Sequence, residues 1–284
     1  METHPSKMSS STWLEAAMYK GYLFIKRGIV TMLSYRTALV LGIVGSFIGL
    51  LQFSFMGRFL TEGNSFPALN AYGGNLLAYL IIGTAFTSFV GVSLGSFQNT
   101  IRSEQQMGTL EYLLITNTKL ELLLSYSGLV SFLGTLLNVT LLLLVVIFVF
   151  DIPMEVNLAG AAVCILLTIT SLSGIGLMGA GIIMVTKVGD PVTWIFTTLT
   201  GLLSGVLFPV EYLPGALKAI SMLLPTTHAL HALRLTLTQN ASIEQISSQL
   251  LFLLIASAIT VPLGFFSIRA GFNKARRDGT LAHY

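Results

Sequence analysis

A chain of 284 residues that is 54% hydrophobic and only 10% charged does not read as a soluble domain, where about a quarter of residues carry charge. Its mean hydropathy of +0.81 and several apolar runs near the ~20 residues needed to cross a bilayer indicate an all-α polytopic membrane protein, one membrane domain over 1–284. The net charge of +3 is no nucleic-acid signal, because the basic residues sit at the termini and in short loops, where membrane proteins use them to fix orientation.

Taken in order, residues 1–11 are polar and show no signal-peptide pattern. Residues 12–31 mix Trp13, Leu14, Leu23 and Phe24 with Lys20, Lys26 and Arg27, the composition of an amphipathic helix lying in the membrane interface. The same mixture also suits a helix packed on its own protein. Six spans are expected at about 37–56, 76–97, 122–150, 158–185, 191–208 and 250–268, and none contains Asp, Glu, Lys or Arg. Asp190 followed by Pro191 reads as a helix start.

Between the second and third spans lies a polar run over about 99–118, bearing Arg102, Glu104 and Glu111. Leu110, Leu113 and Leu114 stand at i, i+3, i+4, so a helix here has one apolar stripe and one charged face. Gly108 splits it and permits a bend. The segment reads as a helical elbow at the membrane surface.

Residues 208–249 form an outward segment punctuated by Pro209, Pro214 and Pro225. Prolines at this density end helices, and the apolar patches between them are too short to span. Short re-entrant helices between spans five and six are therefore expected. They form a cap over an exit path, with Phe208, Pro209, Glu211 and Pro214 as candidate outer-gate residues.

Six spans put both termini on one side. Twelve lysines and arginines fall on that side, and three, Arg58, Lys218 and Arg234, on the other. By the positive-inside rule the termini and the elbow are cytoplasmic, in a multi-pass cell-membrane protein.

Small residues recur four apart: Gly45 with Gly49, Gly91 with Gly95, Gly176 with Ala180, and Gly201 with Gly205. Such pairs let helix backbones approach within one subunit or across a subunit seam. Cys164, the one cysteine, reads as a small buried hydrophobe. Tyr72, Tyr79, Phe86 and Phe97 suit either packing or the wall of a pathway.

Several chemistries have no motif here. The GxxxxGK[ST] phosphate loop, HExxH and GxSxG are missing, so the chain is not expected to act as an ATPase or other enzyme. His228 and His231 stand one helical turn apart without a neighbouring carboxylate or thiol, and no metal site is assigned. Ion-coupled carriers commonly need an ionisable group within the membrane, which the spans lack.

The run from Arg102 to Thr116 resembles the E-x-x-x-G-T-x-E-x-L-L-x-[TS] stretch of the membrane permeases of type-2 ATP-binding-cassette (ABC) transporters. The segment from Leu203 to Pro214, with Leu224-Pro225 and Ala232-Leu233-Arg234, is similar to the same family's outward re-entrant region. The likeness covers nearly the whole chain. It implies that the elbow is a coupling helix docking on a separate cytoplasmic ABC ATPase, with Glu104, Gly108, Thr109, Glu111, Leu114 and Thr116 in contact. Asn117 stands where many members have proline.

The family implies further that ATP and magnesium bind on the partner and no cofactor in this chain. The chain pairs with a second permease copy, identical or paralogous, is surrounded by lipid, and binds no nucleic acid. Export of a drug, lipid or glycan is the implied function. A stand-alone secondary carrier or channel, and a non-transporting membrane scaffold, are the alternatives.

Overall fold

A computed structural model of the chain describes residues 74–107, 120–150, 155–186 and 190–278, Tyr72, and helical positions scattered between 21 and 51. Long helices dominate: α1 (Leu76–Gln106), α2 (Leu120–Phe150), α3 (Leu158–Thr186), α4 (Pro191–Leu203), α5 (Gly215–Leu223), α6 (Pro225–Thr238) and α7 (Ser247–Arg277). Among the described residues four helices are long and apolar enough to cross a membrane: Leu76–Gln106, Leu122–Leu144, Leu158–Thr186 and Ser247–Arg277. At 1.5 Å per residue, α1 and α7 run about 46 Å, so their ends project beyond a ~30 Å hydrocarbon core.

Local chemistry fixes where the helices start. The Asn75 side chain accepts from Ala78 N at 3.1 Å, Asn157 Oδ1 from Gly160 N at 3.0 Å, and Asp190 Oδ1 from Thr193 N at 2.9 Å. Each satisfies a backbone N–H that the first turn leaves without a partner. Pro191 occupies the first turn of α4, as its sequence indicated.

Contacts along the helices give their directions. Phe97 and Thr100 of α1 meet Gly128 and Ser127 of α2, while Ala78 and Ile81 pack near Leu142 and Leu143. These two helices are antiparallel. Gly176 and Gly179 of α3 lie against Ser93 and Gln98 of α1, so α3 runs with α1. Thr260 and Ser267 of α7 donate to Ser171 O (2.8 Å) and Met178 O (3.1 Å) of α3, so α7 runs with α3.

One end of the bundle therefore gathers the end of α1, the start of α2, the ends of α3 and α7 and the start of α4. The opposite end carries the starts of α1, α3 and α7 together with α5 and α6.

The tightest seam joins α3 to α7. A Cβ at Gly181 would stand 2.5 Å from Ser267 O, and Gly174, Gly264 and Gly271 also face the opposite backbone. Of the four small pairs singled out in sequence, Gly176–Ala180 lies in an internal seam, with a Cβ at Gly176 2.6 Å from Ser93 O. Among the described residues, nothing lies within 4 Å of a Cβ at Gly45, Gly49, Gly91 or Gly201. Gly205 belongs to a turn, not a helix seam.

Two sequence expectations are redrawn. The fifth span, expected over 191–208, is helical only over Pro191–Leu203, which is short of a full crossing. Its flanks still touch α1 at Gln98 (Thr193 Oγ1, 3.1 Å) and at Tyr79 (through Gly205 O, 2.6 Å), positions separated by about 28 Å of helix rise. A helix followed by an extended turn thus covers most of the height. The second span does not end at residue 97 either. It continues unbroken to Gln106, because Gln98–Gln106 loses hydropathy without losing helix propensity.

Candidate coupling end and outer cap

At the first end, α1 and α2 emerge side by side. Thr100 Oγ1 donates to Ser96 O at 2.8 Å and accepts from Ser127 Oγ. The positions around 21–30 pack on the base of α2: a Cβ at Gly21 would lie 2.8 Å from Tyr126 Cε1, and one at Gly28 2.5 Å from Val130 Cγ1. Gly21 and Gly28 thus face α2, while Tyr22, Leu23, Ile29 and Val30 are exposed. Arg27, Ser88, Ser103, Glu104, Ser131 and Asn138 are among the walls of a groove of about 640 Å³ between these elements.

Glu104 is only 7% exposed. It sits on the last full turn of α1, turned into the body. Gly108, Thr109, Glu111, Leu114 and Thr116, the other expected contact residues, lie outside the described residues. So does the first expected span for the most part. Higher up the same side, Gln98 is buried at a position where Gly179 of α3 leaves room for its amide. Its Oε1 accepts from Thr193, tying the start of α4 to α1.

The opposite end is built around Arg234, which the sequence suggested as an outward basic charge and as part of the Ala232-Leu233-Arg234 run. It is 2% exposed. Nη1 donates to Gly205 O at 2.8 Å, and Nη2 to Tyr79 O at 3.1 Å and Val206 O at 3.2 Å. The guanidinium lies over the Tyr79 ring, 3.4 Å from its centroid, with Tyr72 at 5.6 Å. Burial pulls its pKa down to about 10, so it keeps its charge at neutral pH.

Two glycines make this possible. Gly205 adopts φ +82°, a conformation L side chains rarely take. A Cβ at Gly83 would come 2.5 Å from Val206 O and 3.0 Å from Arg234 Nη2.

Hydroxyls hold the rest of the cap. Thr200 and Ser204 bond to Thr226, and Ser221 donates to Leu203 O at 2.6 Å and meets Thr227 at 3.3 Å. Of these, Ser221 serves a backbone carbonyl, that of Leu203 in the last turn of α4, where the helix leaves it without a partner. Asn157, Glu155 and Asn240 pin α3 to the end of α6: Asn157 Nδ2 donates to Ala241 O and Asn240 N to Glu155 O, at 2.9 and 2.8 Å.

The four gate candidates are spread around this cap. Phe208 is 40% exposed and Pro209 buried. Glu211 is exposed in the one-turn 3-10 helix Val210–Tyr212, and Pro214 is the exposed residue preceding α5. Pro209, Pro214 and Pro225 each stand at the start of a short helix, so they begin these helices where the sequence suggested that they end them. Only Glu211 of the four lines the 220 Å³ cavity beside Arg234, with Tyr72, Thr227, His231 and Gln249.

His228 and His231 are engaged separately. His231 Nδ1 is 2.9 Å from Tyr72 Oη, while His228 Nε2 is 2.9 Å from Met222 O and its ring stacks on Phe252. Tyr72, Tyr79, Phe86 and Phe97 are all buried, and Tyr72 and Tyr79 also line the cavity beside Arg234. Cys164 is 1% exposed and donates to Ala229 O at 3.3 Å, the buried hydrophobe its surroundings suggested.

The signal that sequence reading missed is a lone arginine within an apolar helix, Ala229 to Leu237, one turn after a histidine. Its aromatic partner stands 155 residues earlier, so nothing local marks it as buried. Compared with known families, the chain matches the model described as ABC-2 type transporter over residues 21–238, well over half its length. No curated protein matches it significantly.

Proposed function

The chain belongs to the ABC-2 type transporter family, and on that premise we propose that it is the permease subunit of an exporter driven by a separate ATPase. Such permeases normally work with ATPase subunits. The family match over residues 21–238 carries this reading, because that interval spans both the elbow and the outer cap. The end of the bundle holding Glu104 faces the cytoplasm, in keeping with Arg102 and with Lys274, Arg276 and Arg277 in the last turn of α7. Both termini lie there, and two copies flank the pathway.

The arrangement supports a mechanical path. ATPase subunits grip the elbow through Gly108, Thr109, Glu111, Leu114 and Thr116, and Glu104 anchors the elbow to the body. Motion at the elbow enters α1, a continuous rod whose Gln98 is tied to α4 and whose Tyr79 is tied to the turn at Gly205. The same rod thus touches the cap where Phe208, Pro209, Glu211 and Pro214 form the outer gate. The energy comes from different contacts of the elbow with the ATP-bound and ATP-free partner. Moving such an equilibrium from 1:99 to 99:1 takes about 5.5 kcal/mol of differential affinity.

The test replaces Glu111 by lysine and leaves the buried Glu104 in place. The expected result is that the ATPase no longer co-purifies and that export stops, while the permease stays folded. Retention of both contradicts the reading.

A further inference from the structure

We propose that the cavity beside Arg234 binds an oxyanion, the phosphate or carboxylate group of a ligand. A buried charge is ordinarily paired with an opposite one, since taking an ion out of water costs several kcal/mol even after relaxation. Arg234 has no such pair: among the described residues no carboxylate lies within ion-pair distance, and its three acceptors are neutral carbonyls. Its Nε is buried with no acceptor.

The carbonyls do not explain the charge. Gly205 O already accepts from Tyr79 Oη at 2.6 Å, and Tyr79 O lies within helix α1, where the backbone supplies a donor. An uncharged side chain would serve the remaining carbonyl at Val206. A fork of charged donors has a use that an amide does not, which is the recognition of an oxyanion.

The cavity beside it fits that use. Its 220 Å³ is the space of about seven waters, enough for a phosphate with part of its hydration. Ser204, Thr227, His231 and Gln249 add hydroxyl, imidazole and amide groups to its wall. Where Tyr72 Oη donates to Nδ1 of His231, the ring's proton sits on Nε2 and makes that nitrogen a donor. The arginine also disfavours a cation despite the two histidines. Glu211, exposed on the 3-10 turn and lining the same cavity, is the built-in competitor: its carboxylate repels an incoming anion and sets the affinity.

The experiment uses the full chain in nanodiscs of neutral phosphatidylcholine, titrated with inorganic phosphate against chloride at matched ionic strength. Calorimetry and thermal stability are the readouts. Saturable heat and stabilisation are expected with phosphate, and Glu211→Gln tightens binding about three- to tenfold. Arg234→Gln abolishes the response, with Arg234→Lys as a charge-retaining control. Should Arg234→Gln not fold, Glu211→Gln and His231→Gln, which weakens binding, carry the test.

In nanodiscs containing phosphatidylglycerol, weakened phosphate binding identifies a lipid headgroup as the occupant. Unchanged binding identifies a soluble anion. No saturable response in either the parent chain or Glu211→Gln overturns the proposal, as does a response that survives in Arg234→Gln.

Discussion

Substituting Gly181 by alanine tests whether the α3–α7 seam is held by backbone contact. The added Cβ would stand 2.5 Å from Ser267 O and 2.6 Å from Ser267 Oγ, where ordinary contact begins at 3.4 Å. The shortfall is with backbone, so the two helices must part by about 1 Å. That separation stretches the Ser267 Oγ to Met178 O bond, now 3.1 Å, and disturbs the reciprocal contact of Gly271 with Gly181.

Overpacking costs about 1–3 kcal/mol and an interhelical hydrogen bond in a membrane protein about 0.6 kcal/mol. Alanine recovers up to about 1 kcal/mol of helix propensity. The net loss is about 1–3 kcal/mol. Gly91→Ala is the matched control, since nothing described lies within 4 Å of that position, and it should be neutral or slightly stabilising. Unfolding midpoints in mixed micelles compare the two. Equal midpoints for Gly181→Ala and Gly91→Ala would refute the close-packed seam.

Arg234→Met should destabilise by about 2–4 kcal/mol, from the orphaned Val206 carbonyl, two lost charge-assisted bonds and the stacking on Tyr79, less the relief of burying no charge; a stability gain in the same unfolding assay would mean that the desolvation term dominates. Stability should also fall as pH drops. Burial lowers the pKa of His231 from 6.5, opposed by Glu211 and reinforced by Arg234 and His228. Between the folded value and 6.5 the unfolded chain therefore binds the extra proton, so acidification through that window favours unfolding. His231→Gln should flatten this dependence in a pH series of thermal melts, and an unchanged slope would remove His231 as its source. Gly205→Ala, placed at φ +82°, should cost about 1–2 kcal/mol by the same measurement, against no change if the turn relaxes freely.

Much of the membrane layout was readable from sequence because its determinants are local. Apolar run length located the helices starting at Leu76, Leu158 and Ser247, and Asp190-Pro191 marked the start of α4 through a cap and a preset φ. What hydropathy alone misplaces is the point where a helix leaves the apolar zone without unwinding. Residues 98–106 look like the beginning of an elbow, yet they stay helical and turn Glu104 inward.

The cap shows the second kind of miss. Prolines announce short helices, but whether each starts or stops one depends on which side supplies the missing donor, and here all three start one. Arg234 was least legible. Its burial depends on Tyr79, on a left-handed Gly205 and on the absence of a side chain at Gly83, contacts that join three distant parts of the chain. Charge counting treats such a residue as a loop arginine, whereas packing makes it the centre of the cap.

The sidedness of Ser103 tests the account most directly. It is exposed at the end of α1, and Cys164, the one native cysteine, is 1% exposed, so Ser103→Cys gives a single reactive thiol. In intact cells an impermeant maleimide should leave it unlabelled, and in inside-out vesicles it should react fully. Labelling from the outside of intact cells would place the elbow beyond the reach of any cytosolic ATPase and contradict the account.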